Sequence, residues 1–307
     1  MTSAGGNGAV GQAMHASPLP LTAGRSLGED AWRRLRRNRF ALFGTAIVVA
    51  ISVACFVLPW VLGLDPDTTN PALHHQPPSS AHWFGLDNLG RDYLARVLIG
   101  GQTSLLVGLT STLASVFIGV FYGAIAGYFG GRVDEVMMRL VDFLYGIPYM
   151  FLVILVMLMF TESARGQALP VFIALGLVQW LTMARVVRGE VLTLRRREFV
   201  LAAQLMGASH LRVIVYHVIP NVLGVILVYA TLTVPAVIIL ESFLSFLGLG
   251  VKLSWGQLVS EGVGVVNPVE SYWWLLFWPS AFLALTLFSL NFVGDGLRDA
   301  FDPKSRD

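Results

Sequence analysis

The chain is 307 residues long, 55% hydrophobic and only 13% charged, with a mean hydropathy of +0.67, which excludes a soluble globular domain. Its net charge of +2 leaves no electrostatic footprint for nucleic acid. The single cysteine, Cys55, excludes a disulfide framework.

Residues 1–24, rich in Gly, Ala, Ser and Pro without periodicity, read as a disordered tail. Residues 25–39 set Arg25, Arg33, Arg34, Arg36, Arg37 and Arg39 around Trp32 and Leu35. That pattern suits an amphipathic helix in the membrane interface, its arginines on anionic lipid. It serves equally as an orientation signal. The first apolar run, 40–64, is too long and too far along the chain for a cleaved signal core of ~7–15 residues.

A membrane-spanning helix needs ~20 mostly apolar residues. Five further runs qualify, at 103–129, 136–160, 169–187, 220–247 and 272–294. The expectation is an all-α integral membrane protein of six transmembrane helices, with a transmembrane domain over 40–300 between tails at 1–39 and 301–307. Between the first two runs, loop 65–102 carries turn formers and a group Asp87, Arg91 and Asp92 that can knit it by ion pairs. In the second run Ser111, Ser115, Gly119, Gly123 and Gly127 recur every four residues. Such a small-residue face admits close approach of another helix, from this chain or from a partner subunit.

Charge sets the orientation. With an N-terminus inside and six crossings, 17 of the 21 basic residues fall inside, and only Arg91, Arg96, Arg165 and Lys252 fall outside. This is the asymmetry of the positive-inside rule. Both termini and segment 195–219 are thereby expected on the cytoplasmic side, and loop 65–102 outside.

Several chemistries lack their residues. The chain has two lysines, Lys252 and Lys304, neither in the setting of a phosphate-binding loop, so ATP and Mg would have to be bound elsewhere. No His/Cys spacing suits a metal, and no spacing supports a Ser/His/Asp enzyme. A carrier driven by protons or sodium needs ionisable groups in mid-membrane. Candidates are few: Asp142 with Arg139, most simply a local i,i+3 pair, and Glu241, a capped structural carboxylate or a pore-lining one. An ion-coupled secondary transporter acting alone is the competing reading, and a membrane-embedded enzyme a third.

Segment 198–221 follows Arg195, Arg196 and Arg197. As a helix it would place Phe199, Ala202, Ala203 and Met206 on one face by 3,4 spacing. Gly207 would end that helix and Pro220 would open the next. A short apolar face of this kind suits docking into a groove on a cytoplasmic partner.

These residues carry a resemblance. The segment is similar to the signature loop of membrane subunits of bacterial ATP-binding-cassette (ABC) importers: Glu-Ala-Ala, three residues, Gly, nine residues, Ile, one residue, Leu-Pro. Ala202, Ala203, Gly207 and Pro220 match, while Leu201, His217 and Ile219 depart from it. The motifs at 82–92, 184–190, 220–221, 241–250 and 294–303 extend the resemblance over nearly the whole chain. They look like the C-type permease subunit of the dipeptide/oligopeptide/nickel group. Met137-Met138-Arg139-Leu140 and the basic prelude around Trp32 most resemble oligopeptide permeases.

The resemblance implies the type I ABC importer permease fold in a bacterial cytoplasmic membrane. It implies a homologous B-type permease partner, two cytoplasmic ABC ATPase subunits holding ATP and Mg, and an extracytoplasmic peptide-binding protein. Coupling to the ATPases would fall to Glu198, Phe199, Ala202, Ala203, Met206, Gly207, Ala208 and Ser209, with Gly207 setting the angle of the push. Helix packing would fall to Ser115, Gly119, Gly123 and Gly127.

Overall fold

Where no water can satisfy the backbone, it must close its hydrogen bonds within each segment, and long apolar runs therefore become helices. The computed structural model describes residues 27–159, 168–265 and 270–301. The expectations for residues 1–24 and for most of the 301–307 tail lie outside these ranges. In chain order the helices are α1 (Leu27–Leu35), α2 (Arg39–Val61), α3 (Tyr93–Phe129), α4 (Gly131–Tyr145), α5 (Tyr149–Leu158) and α6 (Ala168–Leu194). Then come α7 (Glu198–Leu205), α8 (His210–Val213), α9 (Ile219–Phe246), α10 (Trp255–Val265) and α11 (Trp273–Phe301). Among the described residues, α2, α3, α6, α9 and α11 are long and apolar enough to cross a membrane.

The third apolar run departs from expectation. In place of one helix over 136–160 it forms α4 and α5, bent by 87°, so a sixth crossing exists only if that pair is counted as one span. The break falls at Gly146-Ile147-Pro148. Pro148 has no N–H to donate and pushes Ile147 out of the helical region. The second run departs in the other direction. α3 starts at Tyr93, inside the segment expected as loop, because the Asp92 carboxylate accepts from the Ala95 N–H at 3.1 Å and caps it. At 37 residues α3 is about 55 Å long, well beyond a hydrocarbon core of about 30 Å.

α3 is the central helix. Along α6 it presents the small residues Ser115, Gly119, Gly123 and Gly127, all buried. A Cβ at Gly119 would stand 2.6 Å from the Cβ of Met183, and one at Gly127 2.8 Å from the Arg188 carbonyl; at Gly123 it would run into the Ala184 carbonyl. The close approach is thus between two helices of this chain. α9 packs on another side of α3, and α11 packs on α2 and α9.

The two ends differ. At one, the loop end, residues 62–92 fold over the starts of α3 and α11 and over α10. Trp255, fully buried, donates from Nε1 to the Val97 carbonyl at 2.9 Å, and Tyr93 donates to the Leu275 carbonyl at 2.6 Å. At the other, the knob end, α7 and α8 cap an apolar cluster of Tyr128, Val187, Val191, Val200, Val213 and Val218.

Candidate functional site: an exposed apolar knob

α7 begins where Arg197 is extended, and Glu198 sits in its first turn, an acidic residue favoured by the helix dipole. Its eight residues make barely two turns. Val200 and Ala203 point inward, 0% and 3% exposed, into the cluster beneath. Leu201, Leu205 and Met206 point out, 47%, 89% and 82% exposed, together with Ala202. Phe199 lies between, at 40%.

The structure therefore corrects the expected face. Ala203 does not share a surface with Ala202 and Met206, because the helix is rolled so that Val200 and Ala203 anchor it. Leu201 and Leu205 complete the ridge. Their i,i+4 spacing was a readable signal.

Gly207 ends α7. Its φ of +82° lies in the left-handed region, open to glycine at little cost. The Ala208 N–H bonds the Ala203 carbonyl at 3.1 Å and the Gly207 N–H bonds that of Gln204 at 3.0 Å, the pair of bonds that defines a Schellman cap. Nothing lies within 4 Å of where a Gly207 Cβ would be, so backbone conformation, not space, requires the glycine. Ser209 then caps α8 through the Arg212 N–H, and half-buried Ala208 packs on the same cluster.

Between α8 and α9 the helix widens into a π turn over Ile214–Val218, closed by an Ile219 N–H to Ile214 carbonyl bond. The widening lies just where Pro220 has no N–H to give the Tyr216 carbonyl. The Asn221 side chain donates to the His217 carbonyl at 2.6 Å.

One phenol ties this segment to the bundle. Tyr128, on the last turn of α3 and 6% exposed, accepts from Gln204 Nε2 at 2.9 Å and meets His210 Nδ1 at 2.9 Å. Arg195, at the start of the segment, reaches the Tyr128 carbonyl at 3.4 Å. These groups come from the α6–α7 link, from α7 and from α8.

Glu241 is fully buried. Ser245 Oγ donates to it at 2.6 Å and Ser104 Oγ at 3.5 Å, while Ser104 also accepts from the Trp255 N–H at 3.1 Å. It is a satisfied carboxylate fastening α9 to α3 and α10. The expected Asp142/Arg139 pair does not form. Asp142 faces α6 and pairs with Arg185 at 2.6 Å, and Arg139 takes Glu135 one turn back at 2.7 Å. Beside them the Arg188 guanidinium forks onto Asp134 through Nε at 2.7 Å and Nη2 at 2.5 Å.

At the loop end, Asp87 accepts from Arg91 Nε and Arg96 Nη1, each at 2.7 Å, and Arg96 continues to Glu261 at 2.9 Å. Burial pushes the Asp87 carboxyl up. The Arg91 and Leu89 backbone N–H groups, the Arg91 side chain and the Arg96 charge outweigh that and hold it below the usual carboxylate range. Asp92 instead takes His82 Nδ1 at 2.9 Å. Among the described residues no cluster of His, Cys, Asp and Glu could hold a metal ion.

Comparison with known proteins bears on the whole chain. Residues 119–307 match the family described as binding-protein-dependent transport system inner membrane component. Residues 26–78 match the N-terminal transmembrane domain of oligopeptide transport permease C. The oligopeptide transport system permease protein OppC of Escherichia coli K12 is 48% identical over 288 residues, covering 92% of this chain and 93% of that one. The dipeptide transport system permease protein DppC of Bacillus subtilis 168 is 43% identical over 285 residues, covering 92% and 87%. Among solved structures, the MetNI methionine ABC transporter aligns with a TM-score of 0.54 at 17% identity, over 66% of this chain and 96% of that one. That alignment speaks for the fold alone.

Proposed function

The chain belongs to the family of binding-protein-dependent transport system inner membrane components, and on that premise we propose that it is a permease subunit of an ATP-driven importer of oligopeptides or dipeptides. Residues 40–300 form the permease domain, in a multi-pass arrangement in the bacterial inner membrane. The knob end and both termini face the cytoplasm; the loop end faces outward. A homologous B-type permease completes the translocation path. Two cytoplasmic ABC ATPases bind ATP and Mg and grip segment 198–209, and an extracytoplasmic binding protein delivers peptide at the loop end. Nucleotide-driven movement of the ATPases then switches the bundle between its two facing states.

The observation that carries this reading is the ridge of Leu201, Ala202, Leu205 and Met206. It is apolar and exposed, held on a short helix closed by a Schellman cap and set beside Arg195, Arg196 and Arg197. Exposed leucine and methionine at 82–89% exposure on a charged end of a membrane bundle suit a groove that covers them. Single cysteines at Leu205, Met206 and Ala203, in a Cys55→Ala background of the assembled complex, test it. Positions 205 and 206 should cross-link to a nucleotide-hydrolysing subunit and position 203 should not. Absence of any such adduct, or peptide transport by the purified chain alone on an ion gradient, overturns the reading.

A further inference from the structure

We infer that Tyr128 is the positioning residue through which movement of the knob enters the helix bundle; this rests on the proposed function above. α7 is short and flanked by links on both sides, and its inner face, Val200 and Ala203, is apolar. Apolar contact is non-directional, so it lets a two-turn helix roll in place. Direction comes from the polar ties, and three of them converge on one residue.

The phenol oxygen accepts a hydrogen bond from Gln204 Nε2 and shares a second with His210 Nδ1. Gln204 fixes the roll of α7, His210 fixes the start of α8, and Arg195 on the Tyr128 carbonyl fixes the entry to the segment. The ring is wedged edge-on against Phe129 and His210, with centroids at 5.2 and 5.7 Å.

Tyr128 is also where a push reaches furthest. It lies on the last turn of α3, which runs the depth of the bundle and beyond. Through Gly119, Gly123 and Gly127, α3 lies backbone-close to α6, so the two helices move as one body. A displacement of the knob delivered at Tyr128 is a displacement of the α3–α6 pair.

The test is Tyr128→Phe, which removes one oxygen and keeps the ring. In vesicles holding the complete complex with its ATPases and loaded binding protein, peptide taken up from a radiolabelled oligopeptide pool is measured per ATP hydrolysed. ATP hydrolysis should stay within about twofold of wild type while peptide per ATP falls at least tenfold. If hydrolysis and uptake fall together at an unchanged ratio, or neither changes, Tyr128 merely packs and the inference is overturned.

If Tyr128→Phe fails to assemble, Gln204→Met with His210→Phe deletes both partners of the phenol at the surface. The same fall in ratio supports the inference and an unchanged ratio overturns it. Where both variants assemble, combining them should lower the ratio no further than Tyr128→Phe alone, since the three groups act as a unit; a further fall overturns it. A wild-type complex without ATP-dependent uptake would instead overturn the proposed function, which keeps the two failures apart.

Discussion

At the loop end, Asp87 accepts from two guanidinium groups and two backbone N–H groups, and Arg96 bridges it to Glu261. Trp255, Tyr93 and Trp274 each sink an aromatic body and hydrogen-bond a carbonyl of another segment. At the knob end, the side-chain ties that Arg195, Gln204 and His210 make to the bundle converge on Tyr128, among the described residues, while Leu205 and Met206 stand in the open. The first end is over-determined: several ties must fail before the loop shifts. The second has few polar ties to the bundle and leaves Leu205 and Met206 in the open, the features of a region that opens or moves at small free-energy cost. Loss of a residue at the loop end should therefore read out as lost stability, and at the knob end as lost coupling.

The sharpest test is Arg96→Met. It leaves Asp87, whose side chain is 3% exposed, short of one buried charge partner and should cost about 3 kcal/mol of stability, seen as a lower melting temperature of the purified complex in detergent. The same cluster gives a pH dependence. The Asp87 carboxyl is held low when folded, so its stabilisation is full above the ordinary carboxylate pKa of about 4. That stabilisation drains away as pH falls from there through the folded value. Melting temperature should drop on acidification below about pH 4, and Asp87→Asn should flatten that drop.

In the α3–α6 seam, little more than a turn before Tyr128, Gly123→Ala forces a methyl into the Ala184 carbonyl and should cost about 2 kcal/mol. Gly189→Ala, also inside a helix but meeting nothing within 4 Å, is the matched control and should not lower the melting temperature. At the knob end, Gly207→Ala places a side chain at φ +82°. It should cost only about 1 kcal/mol yet reduce uptake severalfold in vesicles. Wild-type uptake there would erase the contrast between the ends. The smallest effect belongs to Arg185→Gln, which breaks a half-exposed pair with Asp142 and should shift stability by less than about 1 kcal/mol.

Much of this was legible beforehand. A helix crossing lipid announces itself by length, so α2, α6, α9 and α11 fall close to their apolar runs. The start of α3 was not legible because Arg96 interrupts the pattern, and its charge is tolerable only once Asp87 and Glu261 are folded against it. The break at Pro148 stayed hidden because the proline sits inside a 25-residue apolar run long enough for one span. The knob was found and its facing was not. Two turns of helix offer two plausible apolar faces, and the choice rests on what Val200 finds beneath it. Tyr128 left no trace at all, since Gln204 and His210 stand 76 and 82 residues away.

The π turn over Ile214–Val218 carries a further consequence. It holds one residue more than the regular turn it replaces. Excising one residue there would restore an unbroken α-helix and swing everything upstream around the α9 axis by about 100°, taking the ridge of Leu205 and Met206 to another compass bearing. The reach of the molecule toward its neighbours is therefore indexed by a surplus of one residue in the turn that joins α8 to α9.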